Sequence, residues 1–596
     1  MRWLTILCLL VGPVSTTPVV QPNDNRLPAG TRHGDTLRLA LVVQMATWRP
    51  EADDGPAISV AAFGEVGGPP QVPAPLIRVP VGTIIAATVR NALTDSALIV
   101  RGLHAHPADP SDSLVVAPGA TGRVVFAAGA PGTYAYAADL GTQDTLVERE
   151  QLGGAFVVDS AGARTDDRIF VMNIWGNSID SLHYANALTI NGKSWPYTEP
   201  IMLSLGDTAR WRWVNATDRN HPMHLHGFFF RVDSRGSPAA DTIYAAEQRR
   251  WAVTEELRPY TTMAMVWSPE RPGNWLFHCH IAFHVVPGEA QLDPTAPDVH
   301  GDAHMAGLIL GVNVPTPPGW RPPPRGRLRR VTLALAELPR HGGGDSLRTV
   351  GVAIADAGAP LPPARSPGPM LVVTKNQPTD VTVINHLAQG TGIHWHGIEL
   401  ESYSDGVVGW SGVPGRLAPA IAPGDSFVAH LTLPRAGTFI YHTHLHDMSQ
   451  LTAGLYGPIV VLEPGERFDP RTDHVFTVGW DGPADPPRLV VNGDSMAPAL
   501  VLAGGTRHRL RFINIGAAQA VRITLQRDSV PTRWQPVAKD GIAPPAWLAS
   551  QRNAVMLLRV GETFDAEFTP VPGEYVLEMR RPSDSFLYYR RVLTVR

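Results

Sequence analysis

Residues 272–280 read PGNWLFHCH, and residues 572–580 read PGEYVLEMR. Each is a Pro-Gly turn followed by an aromatic and aliphatic run of strand length, so the second is a copy of the first without its histidines and cysteine. Upstream of the first copy stand LTINGKSW (188–195) and ARWRWVNA (209–216), matched upstream of the second by LVVNGDSM (489–496) and HRLRFINI (508–515). A different unit precedes each of these. PAPLIRVPVGTIIAATVRNAL from Pro73 pairs with PGPMLVVTKNQPTDVTVINHL from Pro367, and GTYAYAAD (132–139) pairs with GTFIYHTH (437–444). The chain is therefore built from two kinds of unit in the order A-B-A-B.

Short runs rich in Val, Ile, Thr and aromatics alternate with turns throughout, and the sequence holds 56 Gly and 56 Pro. This composition predicts an all-β chain of sandwiches. The stretch VPTPPGWRPPPRGR (314–327) is too rich in proline to pack and is expected to be a semi-rigid linker. The expected boundaries are 23–165 and 166–313 before it, and 328–465 and 466–596 after it. With 596 residues, 44% of them hydrophobic and 17% charged, the chain is long enough to bury several cores.

A net charge of -4 and a pI near 6.6 provide no basic field, which argues against a nucleic-acid partner. Met1-Arg2 is followed by an apolar stretch to Val14 and then small and polar residues, the layout of a secretory signal expected over 1–22. No later segment has the uninterrupted apolar length of a membrane span. The expectation is an exported protein, periplasmic or extracellular. Of the two cysteines, Cys8 lies within that signal, so Cys279 would be the mature chain's lone thiol, unable to form an intrachain disulfide. In an oxidising compartment a lone thiol is best protected when buried or bound to metal.

Histidine distinguishes the copies. The first B unit holds HPMHLHG (221–227) and HCHIAFH (278–284); the second A unit holds HWHG (394–397) and HTH (442–444). In a strand alternate side chains share a face, so each His-x-His presents two imidazoles to one side, and Cys279 must face away from His278 and His280. One tripeptide can thus serve two metal sites. Cys279, His221 and His284 supply the Cys and two His of a blue-copper site, whose fourth, weak axial ligand is expected to be Met305, beyond an insertion spanning 289–304. Zinc also takes Cys and His, but one tetrahedral zinc would leave most of the His-x-His pairs unexplained.

These four motifs resemble the copper-binding signatures of the multicopper oxidase family, which includes laccases, and the similarity of strands and turns covers nearly the whole chain after the signal. The resemblance implies Greek-key sandwiches of the cupredoxin type and four copper ions per chain. It implies one type 1 copper that oxidises the substrate and a trinuclear cluster that reduces dioxygen to water. By motif matching, His224 and His394 correspond to type 2 ligands, and His226, His278, His280, His396, His442 and His444 to the type 3 pair. Asp405, in Ser-Asp-Gly-Val after HWHG, resembles a family acid that helps deliver protons, although a turn-forming aspartate has the same sequence appearance.

The order of motifs departs from the usual three-domain members, where HWHG and HTH come first. The cluster is therefore expected where the second and third units meet, or between two chains of a homo-oligomer. In the first A unit His104 and His106 survive, but Ala137 and Asp139 replace the HTH histidines; the last B unit has Glu578, Met579 and Arg580 in place of HCH. A second cluster is not expected. His446, His300 and His304 are read as surface residues and Glu289 as a hydrated loop carboxylate. The implied activity is a laccase-like oxidation of a small reductant, a phenol or aromatic amine, with dioxygen as acceptor. The alternatives are a copper nitrite reductase and a non-catalytic copper electron carrier.

Overall fold

The computed structural model describes residues 17–596 except 108, 110, 142–146, 179–183, 288–289, 291, 293–304, 323–325, 340–347 and 483–487. The first sixteen residues of the expected signal, together with Glu289, His300 and His304, lie outside the described residues. About half of the chain is strand and 4% is helix, and no described helix is long and apolar enough to cross a membrane.

Among the described residues, eight sheets stack in pairs as four β-sandwiches. Each repeats one device, a parallel pair inside each of its two sheets. In the third sandwich Arg329–Glu337 runs parallel to Thr379–His386 in one sheet and Leu371–Thr374 parallel to Tyr456–Leu462 in the other. The first repeats this with Thr36–Trp48 beside Ile84–Asn91 and Ala74–Pro80 beside Gly153–Asp159. Crossing from sheet to sheet in this way closes a Greek-key core. Leu41, Phe63 and Ile85 from one sheet meet Ile77, Val100 and Phe156 from the other in the first core. The second core is the most aromatic: Phe170, Trp211, Trp213, Trp267 and Phe277 meet mostly edge to face or tilted, at centroid distances of 4.7–6.2 Å.

Three expected boundaries shift, each because a strand finds its pairing partner across the line. Residues 19–22, placed inside the signal, belong to the fold: Val19 bridges Thr47, Val20 is buried, and Gln21–Pro22 pairs with Pro70–Val72. Val147–Arg149, assigned to the first unit, pairs with Arg168–Ser178 of the second sandwich. Val314, assigned to the linker, closes strand Ile309–Val314 and packs in the second core, and the exposed stretch begins at Pro315. Contact between the second and third sandwiches also uses strand pairing. Gly412–Val413 of the third lies against Gly273–Cys279 of the second, with Asn274 opposite Gly412, and the Trp410 indole N–H donates to the Trp275 carbonyl at 3.1 Å.

Candidate metal centre

Strand His221–Leu225 lies between Thr254–Leu257 and Gly273–Cys279, with Met223 opposite Cys279 and His224 opposite His278. Because side chains alternate, Met223 and Cys279 enter the core of the second sandwich, while His224 and His278 emerge on the face turned to the third. In the third sandwich Ile393–His396 pairs with Gly437–Thr443, setting His394 opposite His442. The alternation inferred from sequence is thus realised on both sides of one interface, within a single chain.

On the core side, Cys279 Sγ lies 3.4 Å from His284 Nδ1 and 3.7 Å from His221 Nδ1, and the two Nδ1 atoms are 3.2 Å apart. All three residues are buried. His221 Nε2 lies 2.9 Å from the Thr217 hydroxyl, which donates to Asn215 Oδ1 at 2.8 Å; with that hydroxyl proton committed, Nε2 is the donor and Nδ1 keeps its lone pair for the group. Met305 is buried in the same core, three residues before Leu308, which bonds the backbone beside two members of this group: Leu308 N–H to the His284 carbonyl and Cys279 N–H to the Leu308 carbonyl, each at 3.0 Å. Burial pushes the Cys279 thiol up to about 12, so a thiolate requires a cation beside it.

On the opposite face His224, His226, His278, His280, His394, His396, His442 and His444 converge, all buried. Their nitrogens fall into sets close enough to share an ion: His226, His278 and His444; His280, His396 and His442; and His224 with His394 and His396. Carbonyl and carboxylate oxygens, which only accept, fix the tautomers. His224 Nδ1 donates to the Val253 carbonyl (2.9 Å), His278 Nδ1 to that of Cys279 (2.8 Å), His442 Nδ1 to that of Thr443 (2.7 Å) and His226 Nδ1 to Asp405 Oδ2 (2.8 Å). Each keeps an Nε2 lone pair aimed inward. His396 is reversed: Nε2 donates to the Gly561 carbonyl at 2.8 Å, and Nδ1 faces His280 Nε2 at 3.2 Å.

Burial, reinforced by neighbouring imidazoles, disfavours protonation of seven of these histidines. His280 is lowered to about 3 and His278 to about 4, and His224, His226, His396, His442 and His444 lie well below the ordinary value. The buried Nε2 atoms of His224, His394 and His442, and both nitrogens of His444, have no hydrogen-bonding partner among the described residues. A ring of neutral imidazoles with inward lone pairs is costly to bury unless cations take them. The donor set therefore fits copper: imidazoles throughout the cluster, and thiolate with two imidazoles in the smaller group.

Asp405, fully buried, joins two of these imidazoles. Its Oδ2 accepts from His226 and from the Ser411 hydroxyl (3.1 Å), and its carbonyl lies 2.9 Å from His394 Nδ1, with Oδ1 at 3.2 Å from the same atom. The structure brings together every residue singled out in the four motifs. It sets His446 apart as an exposed residue. His106 is buried and stacked on Tyr134 at 3.8 Å, Met579 fills the fourth core, and Glu578 pairs with Arg580 at 3.1 Å, so the degenerate positions have become structural. Thr217, Thr254, Asp540 and Gly561 were missed; none is a metal-ligand type in a recognisable spacing.

His284 lines an open cleft of about 610 Å³ with Asn186, Arg219, Glu256, Phe283 and Arg559. The cleft belongs to the second and fourth sandwiches jointly, and Arg559 crosses it to Glu256 at 2.8 Å.

Residues 169–290 and 364–466 each match a family model described as multicopper oxidase. These two matched stretches of the chain are the ones that carry the His-x-His strands. Among its relatives, laccase abr2 of Aspergillus fumigatus is 36% identical over 20% of this chain and 18% of its own length. A copper resistance protein A homolog of Pseudomonas syringae pv. tomato is 35% identical over 21% and 20% respectively, and laccase-5 of Trametes versicolor 29% over 25% and 33%. The chain thus spans about a fifth to a third of the length of the curated relatives it matches. The solved structure of a blue copper oxidase from Nitrosomonas europaea is similar over 45% of this chain and 86% of that one, with 20% identity and a TM-score of 0.35.

Proposed function

We propose that the chain is a laccase-like oxidase that takes single electrons from a small reductant, a phenol or aromatic amine, and delivers four of them with four protons to dioxygen, giving two waters. The observation that carries this reading is the tripeptide His278-Cys279-His280, whose thiol belongs to one ligand group and whose two imidazoles belong to the other. Cys279, His221, His284 and Met305 would hold a type 1 copper, His224 and His394 a type 2 copper, and the remaining six histidines a type 3 pair. Copper, when bound, supplies one-electron redox chemistry at the first site and dioxygen reduction at the second.

The protein's own contribution is placement. His284, the ligand that lines the cleft, gives a donor its approach. Covalent continuity from Cys279 to His278 and His280 leaves no solvent gap between the two groups. Asp405, against His226 and His394, holds these rings in place and offers a carboxylate for protons on their way to the oxygen site. Export to the periplasm or cell exterior is proposed on the N-terminal apolar segment alone.

Oxygen uptake with a phenolic dye tests the reading: about four dye molecules should be oxidised per dioxygen, with no peroxide released. Nitrite-dependent turnover, or copper binding without any turnover, would replace it with a reductase or a carrier.

A further inference from the structure

The fourth sandwich contains no ligand motif, yet two of its segments reach the cluster. One is the turn from Arg559 to Glu562. Its Gly561 carbonyl accepts from His396 Nε2 at 2.8 Å and from the Thr254 hydroxyl at 3.0 Å, and Gly561 N–H is itself anchored on the Asn514 carbonyl at 2.8 Å. Gly561 has φ +77°, and a β-carbon there would stand 2.8 Å from Cγ and Cδ2 of the His280 ring. Only glycine lets this backbone approach so closely.

The second segment is Lys539-Asp540. Asp540 uses both oxygens as acceptors: Oδ1 takes the Thr563 N–H at 3.0 Å, and Oδ2 takes the N–H groups of Val253 and Thr254 at 3.3 and 3.4 Å and the Lys539 ammonium at 3.0 Å. Lys539 also donates to the Thr254 carbonyl at 2.7 Å and pairs with Glu562 at 3.3 Å, tying the two segments together. Residues 253–254 are the ones that hold His224, through the Val253 carbonyl at 2.9 Å and the Thr254 hydroxyl at 3.2 Å.

We infer that the fourth sandwich acts as a positioning element for the trinuclear site, Gly561 fixing the tautomer of His396 and Asp540 fixing the strand that orients His224. One histidine from each of the two sandwiches that carry the His-x-His motifs is thereby set by a unit that carries none of those motifs. The inference rests on the reading that these histidines hold copper, so its test has an arm that does not. Bonds of this kind around metal ligands typically change metal affinity 10- to 100-fold when broken.

Two full-length variants serve. Gly561→Ala pushes the turn off the His280 ring; Asp540→Asn keeps size but can accept through only one oxygen. In the metal-free chain, ¹⁵N-histidine NMR should show His396 protonated at Nε2 in the wild type and lose that signature in Gly561→Ala, with the remaining histidine signals retained as evidence of folding. In the copper-loaded chain, either variant should keep the blue type 1 absorption while cluster copper binds on the order of 10-fold more weakly and the type 2 EPR spectrum shifts. Protonation of His396 at Nδ1 in the wild type, or cluster copper and type 2 spectra unchanged in both variants, would overturn the inference.

Discussion

The Nε2 atoms of His226 and His278 lie 2.9 Å apart, and neither has a proton to give the other. Each ring has committed its proton at Nδ1, one to the Asp405 carboxylate and one to the Cys279 carbonyl. Two lone pairs facing each other at hydrogen-bond distance, in a buried pocket, are stable together only with a positive charge on their inner side.

The first prediction concerns the metal-free chain. Burial lowers the folded-state values of His221 and His280 to about 3 and of His278 to about 4, below the ordinary 6.5. The unfolded chain therefore binds more protons as pH falls below about 6.5, and stability falls with it, by up to about 1.4 kcal/mol per pH unit for each such histidine. Thermal unfolding of the metal-free chain should drop steeply from about pH 7 to about pH 5, and copper should flatten the curve. A metal-free chain equally stable across that window would contradict the neutral, inward-facing assignment.

Replacing Cys279 with Ser should remove one centre and spare the other. The blue absorption should disappear and about one copper per chain be lost, while the histidine cluster on the opposite strand face keeps its metal. Loading the wild type should also release a proton from the thiol that burial otherwise holds at about 12. Loss of all copper in Cys279→Ser would mean that the two faces are not separate sites.

Asp405→Asn should lower turnover on the order of 10- to 100-fold, because the amide cannot carry protons and accepts through one oxygen where His226 and His394 both lean on the carboxylate. The blue absorption should be unchanged. Wild-type turnover and an unaltered pH profile would reduce Asp405 to a turn residue.

Met305→Leu is expected to keep the blue colour and raise the reduction potential of the first centre, since the axial position tunes potential more than it binds. A spectrum and potential identical to the wild type would remove Met305 from the ligand set.

The sandwiches and their order were legible because the repeats carry turn and strand signals at matching offsets, as in residues 272–280 and 572–580. The ligand faces were legible because a period of two puts His278 and His280 on one side and Cys279 on the other, whatever the surroundings. The boundaries at 22, 165 and 313 were less so. Gln21–Pro22, Val147–Arg149 and Val314 are ordinary strand residues whose partners are chosen by tertiary packing. Nor could the roles of Asp540 and Gly561 be read in advance: they act through backbone groups of Val253 and through one carbonyl, and such contacts leave no motif.

Copper counting on the purified full chain, with visible absorption and EPR on the same sample, tests the central claim most directly. The arrangement around Cys279 predicts about four copper ions per chain, one blue, one giving an ordinary type 2 EPR signal and two EPR-silent. A colourless chain that retains zinc, or that saturates with a single copper, would contradict it.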